Sequence, residues 1–424
     1  MKTKNKYNIL IIDLFSASNR GDAAIIEGEI NSLKKFFPDA KYTLLTAFPD
    51  ASFLINNIKS YNHNLISFDI KNVRINLLVV YLAFLTLIRR LGIKKKIMPR
   101  IFNKTSIKLF FEADLIISTG GGFLNDFYFP ENLWRFLSLY IMKGFDKKVV
   151  IIAQSIGPLK KKITRIISKI VFNRIDLITV RDENSKKILE SIGINKTPVH
   201  VTADAAFNIP VNKISSLTKF RVEKIPKIES QMNISISIRD WVYYKNKQQY
   251  IHEISKTVEW LIEEYDANIY FLSTCTGLDG YKNDDRTFSY KLVSNLEEKM
   301  CKNIKIFFGE YTPQELICLY AQMDLHIGMR MHSIILSLLS NTPTIAIEYE
   351  KKTKELMYQY GFKDFLFNIE NIKFKNIRSK IIEVMKNKEK ITERIRIKNK
   401  DMKEKSLHNA ELIYKMIKEE HYKK

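Results

Sequence analysis

Cysteine is almost missing from this 424-residue chain. The three present, Cys275, Cys301 and Cys318, are odd in number and form no CxxC pair. That argues against a disulfide framework or a zinc site, and fits a reducing cytosol. The start, Met1 to Tyr7, leads directly into a strand-like segment, without the apolar stretch and small-residue cleavage site of a signal peptide. Long hydrophobic runs are lacking too. The longest, Leu77 to Ile88, is broken only by Thr86 and is too short to span a bilayer. Acidic residues are in deficit, 46 against 69 Lys and Arg, which leaves a net charge of +23. Such a field favours nucleic acid, anionic lipid or phosphorylated substrates. The basic residues are dispersed through a chain rich in Lys, Asn and Ile, and no nucleic-acid motif accompanies them, so no nucleic-acid partner is expected.

What is present is enough for sizeable cores. Hydrophobic residues make up 46% and aromatics 12%, which excludes a disordered chain, and the length suits two or three domains. Near-continuous apolar runs alternate with amphipathic stretches: strands at Asn8–Leu14, Tyr42–Thr46, Asp114–Ser118, Val149–Ala153 and Leu177–Val180, with a helix over Ala23–Phe36. The theme restarts with strands at Asn233–Ile238, Ile269–Ser273, Ile304–Phe307, Leu325–Ile327 and Thr344–Ile347, and helices over Tyr250–Tyr265 and His332–Ser340. Buried strands alternating with helices predict parallel sheets covered on both faces. The expected fold class is α/β, two Rossmann-like doubly wound domains facing a cleft, with a charged C-terminal helical extension. The boundaries read as 1–209, a linker over 210–230 whose Pro210–Pro226 part is rich in Ser, Lys and Pro, 231–386, and a helical tail over 387–424.

Residues able to carry chemistry sit where strands end, the place where such sheets bind ligands. Asn19-Arg20-Gly21-Asp22 lies between a strand and a helix; Gly21 permits a tight turn, and Asn19 and Asp22 are acceptor or accessory candidates, unless Asp22 is simply the helix cap. Gly120, Gly121 and Gly122 follow the strand at Asp114–Ser118, where bare backbone serves either approach of a phosphate or sugar hydroxyl, or close packing. Asn125 and Asp126 follow on an expected helix start and are further acceptor or accessory candidates. Arg181 and Arg239 stand just past strands, as grips for a carboxylate or phosphate, or as salt-bridge partners. Gly328-Met329-Arg330-Met331-His332-Ser333 opens an apolar helix, placing Arg330 where anions bind and His332 where a proton can be moved near neutral pH. His326, inside the strand, reads as core. Lys352 follows another strand and can neutralise a phosphate.

Taken in order from Asn8 to Phe362, these segments resemble the polysaccharide pyruvyl transferase family: Asn19-Arg20-Gly21-Asp22-Ala23, the Asp114–Asp126 strand with its glycines, Gln154-Ser155-Ile156-Gly157-Pro158, Arg181-Asp182-Glu183-Asn184-Ser185 and Arg330-Met331-His332. The resemblance implies phosphoenolpyruvate as donor, a saccharide of a cell-surface polysaccharide as acceptor, free or lipid-linked, and a cyclic pyruvate ketal as product. It implies catalytic roles for His332 and Arg330 and donor contacts for Arg181 and Lys352; Arg239 and the three glycines are read as donor contacts from their places past strands, and with no metal-ligand cluster in the sequence no metal or resident cofactor is expected. Three departures stand out: Glu350-Lys351-Lys352 replaces Asp-Pro-Lys, Ala153-Gln154-Ser155 replaces Gly-Gln-Gly, and Gly328 stands where the family often has serine.

The expected location is cytoplasmic. For Leu77–Ile88 with its trailing Arg89, Arg90, Lys94, Lys95, Lys96 and Arg100, two readings stand: peripheral contact of 77–100 with the inner face of the plasma membrane, or a core helix with a solvated basic end. Two rival functions also stand: a nucleotide-sugar glycosyltransferase of the same architecture, and a basic nucleic-acid or membrane-binding protein without catalysis.

Overall fold

The structure, a computed structural model, describes residues 6–62, 83, 86, 105–211, 216–223, 232–240, 247–280 and 284–423. The chain divides into two compact units: Met1–Ala17 with Ile25–Asn208 and Glu404–Lys424, and Ser18–Ala24 with Ile209–Lys403. Apart from Ala83 and Thr86, the 77–100 stretch lies outside the described residues.

The first unit is built on a parallel sheet of eight described strands: β1 (Asn8–Leu14), β2 (Lys41–Thr46), β3 (Ser60–Asn62), β4 (Leu115–Ser118), β5 (Gly121–Leu124), β6 (Val149–Ile156), β7 (Leu177–Val180) and β8 (Val199–Val201). They run in the order β3-β2-β1-β4-β6-β7-β8, with β5 pairing on β6. Successive side chains of a strand point to opposite faces, and β1 fills both. Leu10 and Ile12 join Phe136, Leu139, Ile151 and Phe172 on one side. Ile9 and Ile11 join Ile26, Ile30, Leu33 and Ile413 on the other. A strand buried on both faces cannot alternate polar and apolar residues, which is why NILIIDL reads as a continuous run.

The second unit carries six described parallel strands: β9 (Asn233–Ser237), β10 (Asn268–Phe271), β11 (Ile304–Ile306), β12 (Leu325–Gly328), β13 (Thr344–Glu348) and β14 (Leu366–Asn368). Their order is β11-β10-β9-β12-β13-β14. Strand order reverses between β1 and β4 in one sheet and between β9 and β12 in the other. Each reversal leaves a crevice beyond the strands' carboxyl ends.

Three local expectations change. Residues 216–223, inside the stretch read as linker, form a helix. The glycines, read as bare backbone for a ligand or for close packing, are in part a strand: Gly121–Leu124 is extended and pairs with β6 through Gly121↔Gln154 and Leu124↔Ile156. No long helix starts at Asn125; a short 3₁₀ turn over Asp126–Tyr128 comes first, and the helix begins at Asn132. The charged C-terminus is one helix, Lys388–Lys423, whose residues from Glu404 belong to the first unit. There its buried Asn409 accepts from Thr202 Oγ1 (2.8 Å) and Thr179 Oγ1, and donates to the Ala203 carbonyl (3.1 Å). A buried amide with its bonds satisfied fixes the helix in register.

Candidate active site

In the second unit the reversal between β9 and β12 sets two arginines at the sheet edge. β12 ends at Gly328, the Met329 N–H donates to the Ser237 carbonyl (2.8 Å), and Arg330 becomes the N-cap of the helix Met331–Leu339. Asp285 grips Arg330 in a two-point fork, receiving Nε at 2.9 Å and Nη2 at 2.6 Å. Burial opposes the guanidinium's charge, but Asp285 more than offsets it, so Arg330 titrates above its ordinary range. Arg239, just past β9, donates Nη1 to the Tyr349 hydroxyl (3.0 Å), with its guanidinium 5.0 Å from that ring's centroid. Lys352, in the first turn of the helix Lys351–Gln359, pairs with Glu350 (2.6 Å).

His332 sits two residues past Arg330, against the turn at Gly21. A Cβ built on Gly21 would lie 2.2 Å from His332 Nδ1 and 2.5 Å from Cγ. The imidazole therefore packs on bare backbone, and two motifs some 300 residues apart in the chain form one surface. Backbone bonds hold that turn in the second unit: Arg20 N–H to the Thr274 carbonyl (2.7 Å) and Thr276 N–H to the Ser18 carbonyl (3.1 Å). Arg20 is buried, donates Nε to the Tyr311 carbonyl (2.6 Å), and pairs with Glu310, which Arg286 also contacts (2.8 Å). Asn19 is the cap here, not Asp22. Its Oδ1 accepts from Gly21 N–H (3.0 Å), and its amide donates to Asp22 Oδ1 (3.1 Å).

His326 is fully buried between the Ser235 (2.9 Å) and Ser333 (3.1 Å) hydroxyls, and burial pushes its pKa down to about 3, so it is a neutral core group. It also accounts for one departure from the family pattern. A Cβ at Gly328 would come 2.6 Å from His326 Nε2, leaving no room for a serine. Burial pushes the Cys275 thiol up to about 12, which makes it no nucleophile at neutral pH.

The first unit's sheet edge carries a separate polar set. Arg181 donates Nε to Ser155 Oγ (2.8 Å) and pairs with Asp204, while Asp182, the alternative salt-bridge partner, instead caps the helix Glu183–Ser191. Arg181 Nη2 lies 3.5 Å from where a Gly122 Cβ would stand. At Gly120 a Cβ would meet Ile25 at 3.1 Å and the Ala153 carbonyl at 3.2 Å, and at Gly121 the Phe123 ring at 2.8 Å. Close packing thus explains these two, and Gly122 is the glycine beside a cation. Asn125 caps the following turn (Phe127 N–H, 2.8 Å), and Asp126 accepts the Lys160 and Lys161 N–H groups. Both are engaged in holding backbone.

Several polar residues here had no sequence signal. Asp285 sits in a charged stretch that reads as solvated. Asp13, next to last in β1, sits at φ 73° and accepts from Ser118 Oγ (2.6 Å) and Arg135 (3.0 Å). Glu29 did have a signal: it shares a helix face with Ile25, Ile26 and Leu33. It is buried, accepts from Thr119 Oγ1 (2.7 Å), and burial pushes its pKa up to about 8, against the Thr119 hydroxyl and the Gly120 N–H. The folded state therefore keeps a proton that the unfolded chain loses near the ordinary value of 4.5. Stability from this group is complete at acid pH and is lost as pH rises through that window, by up to about 1.4 kcal/mol per pH unit. Glu29→Gln removes the slope. Its melting temperature relative to the parent should climb between about pH 5 and pH 8 and level off above; a constant difference overturns the assignment.

Among the described residues, no group of three or more His, Cys, Asp or Glu side chains is placed to hold a metal ion, and no helix is long and apolar enough to cross a membrane.

Two parallel sheets, each with a polar edge at its strand-order reversal, define a doubly wound α/β architecture. A glycosyltransferase from Rickettsia africae aligns over 99% of this chain and 98% of its own at a TM-score of 0.56 and 14% identity. The UDP-GlcNAc 2-epimerase from Neisseria meningitidis, solved bound to UDP-GlcNAc, aligns over 98% and 100% at 0.60 and 12%. At such identities the likeness is one of fold. Sequence narrows the class: residues 19–351 match the polysaccharide pyruvyl transferase family, and the chain belongs to it. The amylovoran biosynthesis protein AmsJ of Erwinia amylovora is 27% identical over 91% of this chain and 94% of its own length. Membership makes the protein a transferase of polysaccharide modification.

Proposed function

We propose that this protein moves pyruvate from phosphoenolpyruvate to a sugar of a cell-surface polysaccharide, or of its lipid-linked precursor, closing a cyclic ketal across two hydroxyls. The observation that carries the reading is the second unit's edge, where a largely buried, Asp285-gripped Arg330 stands two residues before a histidine seated on Gly21. It is joined to family membership.

The donor has a carboxylate, a phosphate and an electron-rich methylene. Arg330 spends Nε and one N–H of Nη2 on Asp285, and the rest of its fork can hold an anion. Arg239 and Lys352 are assigned to the same task. His332, protonated, gives its proton to the methylene carbon, leaving an oxocarbenium-like centre at the former enol carbon. One sugar hydroxyl adds there and loses its proton, phosphate leaves with its bonding electrons, and the second hydroxyl adds and loses its proton. Of the two protons released, one restores His332 and the other leaves with phosphate or solvent. Asp22, beside this turn, is the assigned base. Arg181 and, beside it, Gly122 are assigned anion and sugar contacts on the first unit. As written, the reaction needs neither metal nor resident cofactor, and a cytoplasmic location suits its donor.

The test is to incubate the purified protein with an oligosaccharide acceptor and either phosphoenolpyruvate or a nucleotide sugar. Phosphate release from phosphoenolpyruvate, matched by an acceptor mass gain of pyruvate less water, is expected. Transfer of a sugar from the nucleotide donor, with no phosphate release from phosphoenolpyruvate, overturns the reading.

A further inference from the structure

The helix Lys162–Phe172, in the first unit, is packed with its most apolar stripe outward. Ile163, Ile166 and Ile170 share one face by helical spacing, and each is 48% exposed. The inward face carries Val171 and Phe172, but also Thr164 and Ser168, whose hydroxyls are fully buried without a hydrogen-bond partner. Left to core packing alone, this sequence would turn its isoleucines in and its hydroxyls out. The fold packs only Ile167 against the core and turns the other three isoleucines outward, so the outward stripe has a use that core packing does not supply.

The charge around the stripe says what that use is. Residues 159–175 hold six basic side chains and no acidic one. Lys160, Lys161, Lys162 and Lys169 are exposed, and none forms an ion pair with a described residue. At the helix's leading end, Asp126 binds the Lys161 N–H (2.8 Å), and Lys161 Nζ lies 3.7 Å from the Phe129 ring centroid. This fixes the neighbouring turn, in which Phe127 is 75% exposed.

We infer that this face docks on an anionic lipid bilayer. The isoleucines enter the acyl boundary while the lysines reach the headgroups, as an interfacial amphipathic helix requires. A second copy of the chain is the poorer occupant, because a two-fold contact would bring the same lysines against each other. The inference stands apart from the reaction proposed above, and its test needs no substrate.

The full chain is sedimented with vesicles of phosphatidylcholine alone and of phosphatidylcholine with phosphatidylglycerol. Binding is expected only to the second and should weaken as salt rises, each lysine contributing about fivefold to the binding constant. Ile163→Ser, Ile166→Ser and Ile170→Ser together should weaken binding about tenfold or more with the circular dichroism spectrum unchanged. Lys160→Gln, Lys161→Gln, Lys162→Gln and Lys169→Gln together should abolish the preference for phosphatidylglycerol, and serve as a second variant should the serines disturb folding. No binding by the parent, or equal binding by the serine variant, overturns the proposal. So does a parent dimer that the serine variant dissociates, since the stripe would then be a protein interface.

Discussion

His332→Ala is expected to lower turnover about 10²–10⁴-fold, the range for loss of a positioned general acid, with no change in melting temperature. The side chain is only partly buried. The sharper form of the prediction uses Gly21. Any Cβ there would stand 2.2 Å from Nδ1, so Gly21→Ala must displace the imidazole and lose most of the same activity. If the two act through one geometry, the loss in Gly21→Ala/His332→Ala equals that in His332→Ala alone. Additive losses, or near-parent turnover in His332→Ala, reject the proton-donor role.

Asp285→Ala carries the largest expected cost in stability, about 3–5 kcal/mol, the usual range when one partner of a buried ion pair is removed. Arg330 would be left inside with its charge unmatched and Arg239 nearby. The shift should appear as a lower urea midpoint with an unchanged denaturant slope. Arg330→Lys tests the other half of the pair. A lysine can keep the charge but not the fork that binds Asp285 on one edge and leaves N–H groups for an anion on the other. Its affinity for phosphoenolpyruvate should fall at least tenfold, about 1.4 kcal/mol. Unchanged affinity would remove Arg330 from the donor site.

The same cluster marks how far sequence reading reaches. Arg330 and His332 were legible because a strand, a break and an apolar helix follow one another locally, and a histidine beside an arginine at such a break is uncommon. Asp285 was not, because a carboxylate in Asp284-Asp285-Arg286 looks solvated until its helix is set against the end of β12. Glu29 could have been found from its apolar neighbours on one helical face. Asn125 and Asp126 were expected at a helix start and instead tie down backbone, since the glycine run ahead of them became a strand.

Periodicity and strand-end chemistry determined by themselves that this chain is a repeated α/β fold with arginines, glycines and a histidine at the ends of buried parallel strands. Those signals lie within a few residues of one another, and local sterics and burial suffice to read them. Tertiary structure alone decided that His332 rests on Gly21, that Arg330 is held by Asp285, that His326 forbids a side chain at Gly328, and that the helix Lys162–Phe172 turns its isoleucines outward. Each of these depends on groups distant in sequence or on which side of a helix finds room. Such choices are made by close packing, not by any pattern along the chain.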